Sequence, residues 1–339
     1  MRVLVAGGTG MIGHRFAELL LARESTSGID AVRIAGRNRD AAADLVDAGA
    51  EFVAGDLTDP DFARSATEGM NAVVHAAGRS GLGGPLRLYQ VNIDITAALL
   101  DAARRAGAGR FVHIGSPSMY FDRTNRLDRA EDYRPERLPD GYTQSKAAAD
   151  RMVLDANSAD FTTISLRPRF VTGHGDNYLL TRFIALRRAG ILRRIGRGGN
   201  LADFTAASNQ ADAMLLALKA PDAACGEAYN ITNGAPVELW RFLDEVMVRI
   251  GLKPIRRSIP YPLAAFNGLV MEGLFAFSNR APGLSRLSAQ VLSSSMTLSI
   301  EKARARLGYA PRQSNAGMLE EFARWYQASR RRTPGLRPR

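Results

Sequence analysis

The chain has 339 residues, 46% hydrophobic and 23% charged, the balance of a globular protein with a well-filled core. Its single cysteine, Cys225, excludes an internal disulfide and fits a reducing, cytoplasmic setting. The formal net charge of +11 is spread over separate arginine groups, and no nucleic-acid-binding motif accompanies them. A solvated basic surface is expected, with no nucleic-acid partner.

The first residues, MRVLVAGG, enter an apolar run at once and then meet glycines. They read as a buried strand and not as a signal peptide. Further strands are predicted at 31–35, 51–54, 72–76, 110–114 and 162–166, with helical patterns at 12–22, 41–48, 92–106 and 142–157 between them. Near-continuously apolar strands alternating with helices predict an α/β, Rossmann-type, doubly wound parallel sheet. After Phe170 the alternation weakens. A helix at 211–219, a strand at 228–231, a helix from 236 to 251 and short helices beyond 254 predict a smaller, mostly helical region.

The division that follows is a dinucleotide-binding domain over 1–170, completed by about 205–235. The segments 171–204 and 236–330 form a substrate-binding region, and 331–339 a disordered tail. No run reaches the ~18–20 apolar residues of a membrane-spanning helix. The segment 263–277, LAAFNGLVMEGLFAF, reads as a core or lid helix, with contact to a membrane surface as its alternative.

Gly7, Gly10 and Gly13 follow the first strand and open the first helix in a GxxGxxG spacing. Glycine lets such a turn tighten and lets backbone approach a pyrophosphate, which the helix N-terminus favours. Thr9, Met11 and Ile12 complete this candidate site. The second strand ends in Ala35-Gly36-Arg37, with no carboxylate until Asp40. A carboxylate there would select NAD; Arg37 suits a 2′-phosphate, so NADP(H) is expected, with NAD(H) as the alternative. Asp56 and Leu57 are candidates for the adenine, although Asp56 also suits a turn cap. Ala76, Ala77 and Gly78 are small enough to let a ribose or nicotinamide lie against backbone.

Tyr142 and Lys146 are four residues apart, so they share a helix face. Ser116 follows the strand at 110–114, at the carboxyl end where doubly wound sheets bind ligands. The order of these motifs resembles the extended short-chain dehydrogenase/reductases, in their 3β-hydroxysteroid dehydrogenase-like branch, over nearly the whole chain. The resemblance includes Asn92 after Tyr89-Gln90-Val91 and the run Arg167-Pro168-Arg169-Phe170-Val171-Thr172-Gly173.

The resemblance implies that Tyr142 is the general acid/base and that Lys146 holds the cofactor ribose. Lys146 and the oxidised nicotinamide would pull the tyrosine below its ordinary pKa of about 10. It also implies that Ser116 polarises the substrate oxygen and that Asn92 supports a relay water. Ile114, Pro168 and Val171 would line the cofactor. At Ala206-Ala207-Ser208-Asn209 only Asn209 matches the family's Tyr-Val-Asp-Asn. The four histidines show no ligand spacing, and no metal is expected.

The expected function is an NADP-dependent oxidoreductase that interconverts a ketone and a secondary alcohol on a hydrophobic, steroid-like or β-keto-acid-like substrate. The alternatives are a nucleotide-sugar epimerase or reductase, with Arg169, Arg193, Arg194 or Arg197 on a diphosphate, and a non-catalytic NADP sensor. A homodimer is expected through the alanine-rich helices at 92–106 and 142–157.

Overall fold

The computed structural model describes residues 1–22, 28–122 and 124–332. Seven parallel strands form the central sheet: β1 (Arg2–Ala6), β2 (Ala31–Gly36), β3 (Glu51–Ala54), β4 (Ala72–His75), β5 (Arg110–Ile114), β6 (Thr162–Pro168) and β7 (Glu227–Ile231). Their order is β7-β6-β5-β4-β1-β2-β3. The strand order reverses between β1 and β4, which opens the ligand crevice of this architecture at their carboxyl ends.

Strand periodicity of two explains the layers. Val3 and Val5 point to one face, where they pack with Phe16 of helix α1 (Met11–Leu21) and Met214 of a later helix. Leu4 and Ala6 point to the other, where they meet Leu99 of α2 (Gln90–Arg105) and Val153 of α3 (Gly141–Asp155). The later helix on the first face is α4 (Ala207–Leu218). Burying such side chains on both faces stabilises by about 2 kcal/mol each.

A third core lies beyond the sheet, where Leu180, Phe204, Trp240 and Phe322 are buried together. It includes short strands that periodicity in the sequence does not reveal. Arg126–Arg129, Met296–Leu298, Leu201–Ala202 and Val237–Glu238 form a four-stranded sheet. Segments of two to four residues carry no period long enough to recognise.

Three helices also escape the sequence reading, Leu179–Arg188 among them. Pro60–Thr67 is started by Pro60 and by the Asp59 side chain, which accepts from the Asp61 N–H at 2.9 Å. Asn315–Arg332 runs for 18 residues and buries Met318, Leu319 and Phe322 at helical spacing. The tail expected from 331 therefore begins inside a helix, and 333–339 lie outside the described residues.

The segment expected as a core or lid helix is α5 (Tyr261–Leu274), and it lies on the outside. Only Ala264 and Gly268 are buried, while Leu263, Phe266, Leu269, Val270 and Leu274, and Phe277 beyond the helix, are exposed. No helix among the described residues is long and apolar enough to cross a membrane.

Candidate active site

The turn after β1 shows why glycine stands at each position. Gly7 adopts φ +87°, and a Cβ there would lie 2.6 Å from the Ala77 nitrogen. A Cβ on Gly13 would lie 2.4 Å from the Gly7 oxygen. These two glycines let β1, β4 and α1 pack at backbone distance. A Cβ on Gly10 would meet only the Gly7 oxygen at 3.5 Å, so that side of the turn is open. Gly10 is also the N-cap of α1; no side chain caps it, and the first turn holds no acidic residue. Open backbone and uncapped N–H groups at a helix N-terminus fit a dinucleotide pyrophosphate.

The rest of the cofactor set surrounds this turn. The space left by Gly36 is taken by Thr9, whose Cγ2 lies 3.0 Å from where a Cβ would stand. Arg37 is exposed and close enough to Asp56 to help hold its carboxyl below the ordinary range, after the hydrogen bonds from Thr58. Asp56 accepts from the Thr58 N–H at 2.9 Å and hydroxyl at 2.8 Å through one oxygen, so it does cap the turn, and the other oxygen stays available. Leu57 is buried. Ala76 and Ala77 are half-buried and Gly78 is exposed, while Ile114 and Pro168 are buried and Val171 is half-buried.

Helix α3 presents the chemical residues. Its N-cap, Asp140, accepts from the Thr143 N–H at 2.8 Å and also from the Gly83 N–H. Gly141 is required because a Cβ would lie 2.3 Å from the Leu86 nitrogen. This close approach ties α3 to the loop after β4 and places Tyr142 edge-on against Tyr89, ring centroids 5.5 Å apart. The Tyr142 side chain lies close enough to Ser116 for the serine to favour its phenolate. Ser116 in turn donates to the Ser118 hydroxyl at 3.0 Å and accepts from the Ser118 N–H at 3.2 Å.

One turn along α3, Lys146 donates to the Ile114 carbonyl at 2.6 Å. Burial lowers its pKa to about 8, against the pull of Asp150. Tyr142 is pushed up to about 12, chiefly by burial, with the nearby Ser116 working the other way. The lowering expected from Lys146 together with the oxidised nicotinamide is not produced by Lys146 alone. The ammonium is engaged by the Ile114 carbonyl, and buried phenol resists ionisation.

Asn92 also sits differently from its expected relay position. Its amide oxygen accepts from the Arg79 N–H at 2.6 Å, and its nitrogen donates to the Arg79 carbonyl and the Ser145 hydroxyl. It clamps the loop after β4 onto α3. Asn209 bonds Asn233 and the Gln313 backbone, which anchors α4 to the C-terminal segment.

A buried network that the sequence reading missed fixes α3 in place. Arg167, fully buried on β6, donates to Asp150 at 2.6 Å. Arg167 also donates to the Tyr120 hydroxyl, which donates onward to Asn230 at 3.0 Å. Tyr142, Lys146 and Asp150 occupy successive turns of α3, so an i, i+4, i+8 carboxylate was the available signal. Near Lys146, the His75 and His113 rings lie tilted by 43° with centroids 4.9 Å apart. Burial keeps both neutral, with His75 down at about 3.

Two of the arginines considered for a diphosphate are engaged by the protein. Arg194 pairs with Asp244 and Arg193 donates to backbone carbonyls. Among the histidines, His14 lies with Glu18 and Asp44, ligand atoms within 4.8 Å of one another; the 3.1 Å contact to Asp44 has the geometry of a surface hydrogen bond.

A glycine turn at the switch point and a Ser-Tyr-Lys group two strands away is an arrangement that other proteins share. The NAD dependent epimerase/dehydratase family matches residues 3–232. The chain belongs to this family. Similar members include a 2-alkyl-3-oxoalkanoate reductase of Stenotrophomonas maltophilia, 32% identical over 97% of this chain and 99% of that one. A sterol-4-alpha-carboxylate 3-dehydrogenase (decarboxylating) of Mus musculus is 28% identical over 91% of this chain and 86% of that one. In fold, a UDP-glucuronic acid 4-epimerase from Bacillus cereus, solved with NAD, superposes with a TM-score of 0.73 at 19% identity, covering 97% and 99% of the two chains. As a member of this epimerase/dehydratase family the chain is an NAD(P)-dependent oxidoreductase.

Proposed function

We propose that the chain interconverts a ketone and a secondary alcohol on a hydrophobic, β-oxo-acid-like substrate. The observation that carries this reading is Tyr142 beside Ser116 at the carboxyl end of β5, with Lys146 one turn along. In reduction, Ser116 and Tyr142 hold the carbonyl oxygen, and Tyr142 gives it a proton as the carbon gains a hydride. When bound, NAD(P)H supplies that hydride and leaves as NAD(P)+. Lys146 holds the ribose.

NADP(H) is the assigned cofactor because Arg37 is exposed at the end of β2 with no carboxylate opposing it on that strand. The names of the two relatives support an acidic substrate. Both 2-alkyl-3-oxoalkanoate and sterol-4-alpha-carboxylate carry a carboxylate on the carbon next to the reacting one. Residues 1–170, with 205–235, hold the cofactor, and 171–204 with 236–330 shape the substrate side. The exposed apolar residues of α5 are flanked by the exposed Arg256, Arg257 and Arg280, a combination that suits an anionic lipid surface from which an oily substrate enters.

Tyr142→Phe tests the assignment. Hydride transfer should fall by about 10²–10⁴-fold, while NADPH binding, measured by calorimetry, persists. Turnover near wild type in this variant would remove Tyr142 from the chemistry.

A further inference from the structure

Arg169 is the one buried arginine whose guanidinium the protein leaves without a hydrogen bond among the described residues. It is 3% exposed, and its Nε and Nη2 have no partner. Burial lowers its pKa to about 10, partly offset by Asp203 and reinforced by Arg129. Asp203 lies outside ion-pair distance and accepts from the Leu298 N–H at 2.7 Å. By contrast Arg167, two residues earlier, is bidentate on Asp150. An unpaired charge in a buried site costs several kcal/mol, so the partner of Arg169 is to be sought outside the chain.

Its position says which partner. Ile114 of β5 is level with Leu166 of β6, and the Gly115 N–H donates to the Leu166 carbonyl at 2.7 Å. Ser116 is therefore level with Pro168, and Arg169 stands one residue beyond. Neighbouring strands are about 5 Å apart, so the Arg169 backbone lies on the order of 6 Å from Ser116. The chain then turns through φ +43° at Phe170, and Thr205 holds the Arg169 carbonyl at 2.7 Å. The guanidinium is walled by the rings of Phe170 and Phe121, 4.7 and 5.4 Å away. Phe121 follows the short turn that begins at Ser116. Aromatic walls exclude water and leave the fork of donors for a planar anion.

We propose that Arg169 is a substrate-binding residue that holds the carboxylate of a β-oxo or β-hydroxy acid whose oxygen is bound by Ser116 and Tyr142. This deepens, and rests on, the ketone/alcohol reading above. A β-oxo acid has one carbon between its carbonyl and its carboxylate, which matches a cation one residue beyond the oxygen-binding serine. Arg129, engaged by Tyr120 and Asp122, adds to the positive potential there.

The test uses a 2-alkyl-3-hydroxyalkanoic acid and its methyl ester, oxidised by the enzyme with NADP+. The wild type should prefer the acid by about 100-fold or more in kcat/KM, the scale set by a buried charge pair. In Arg169→Met the acid-to-ester ratio should collapse to within about threefold, and Arg169→Lys should restore part of it. A preference that survives Arg169→Met, or a wild type that does not discriminate, overturns the proposal. A second measurement stands apart from turnover. An alkanoate and the amide of the same length are titrated into NADP+-loaded wild type, and into Arg169→Met. Alkanoate should bind at least tenfold more tightly than amide in the wild type and lose that advantage in the variant. Equal binding in the wild type overturns the proposal even if the variant does not fold. If the alkanoate advantage holds but no hydroxy acid is oxidised, the anion site stands and the ketone/alcohol reading fails.

Discussion

Asp150→Asn separates the positioning network from the chemistry. Asp150 takes Arg167 through both oxygens, at 3.2 and 2.6 Å, and also accepts from Ser165. Arg167 is 0% exposed, so the change leaves a buried guanidinium facing an amide. Breaking a buried pair from one side costs about 3–5 kcal/mol. Unfolding entropy of about 2.1 cal/mol/K per residue gives about 0.7 kcal/mol/K for a chain of this size. The melting temperature should therefore drop by about 4–7 °C, read by circular dichroism. A second readout tests the link to Lys146. Asp150 favours the charged form of Lys146, which burial has already lowered to about 8. Removing that support lowers it further, so Lys146 loses its charge at lower pH. NADPH binding followed against pH should then weaken at lower pH in the variant than in the wild type. A melting temperature within about 1 °C of wild type, with an unmoved pH profile, would refute this account of the network.

Two further outcomes are expected. Arg37→Asp should weaken NADPH binding by more than about tenfold, or about 1.4 kcal/mol, with a much smaller change for NADH; equal losses would remove Arg37 from the 2′-phosphate site. Phe266→Glu with Leu274→Glu should abolish co-sedimentation with vesicles rich in phosphatidylserine, because both side chains are exposed on α5. Unchanged co-sedimentation, or none in the wild type, would remove α5 from the lipid surface.

The parts of the site visible in the sequence are those whose geometry is local. Gly7, Gly10 and Gly13 fall within seven residues, and a strand–turn–helix fixes their mutual placement whatever lies elsewhere. Tyr142 and Lys146 are one helical turn apart, so spacing alone puts them on one face. Continuous apolar strands likewise announced a sheet covered on both sides. The short strands around 201, 237 and 296 were not visible, because two or three residues hold no period and form only against partners far along the chain.

Tertiary structure decided what each charge meets. Asp150 and Arg167 are separated by a helix end and a strand, and Tyr120 reaches Asn230 across 110 positions. Asn92 could be recognised as a family position, yet its hydrogen bonds to Arg79 and Ser145 depend on how the loop after β4 closes over α3. The apolar run of α5 reads as a core or lid helix, because composition reports apolarity and not which neighbours arrive to cover it. Arg169 shows the same limit most clearly. The sequence offers it as one of four arginines for an anion, and only the packing of Phe121, Phe170, Arg129 and Asp203 shows a buried cation left without a partner. Local spacing determines which residues share a face; the solvation of a charge depends on every surface that folding brings against it.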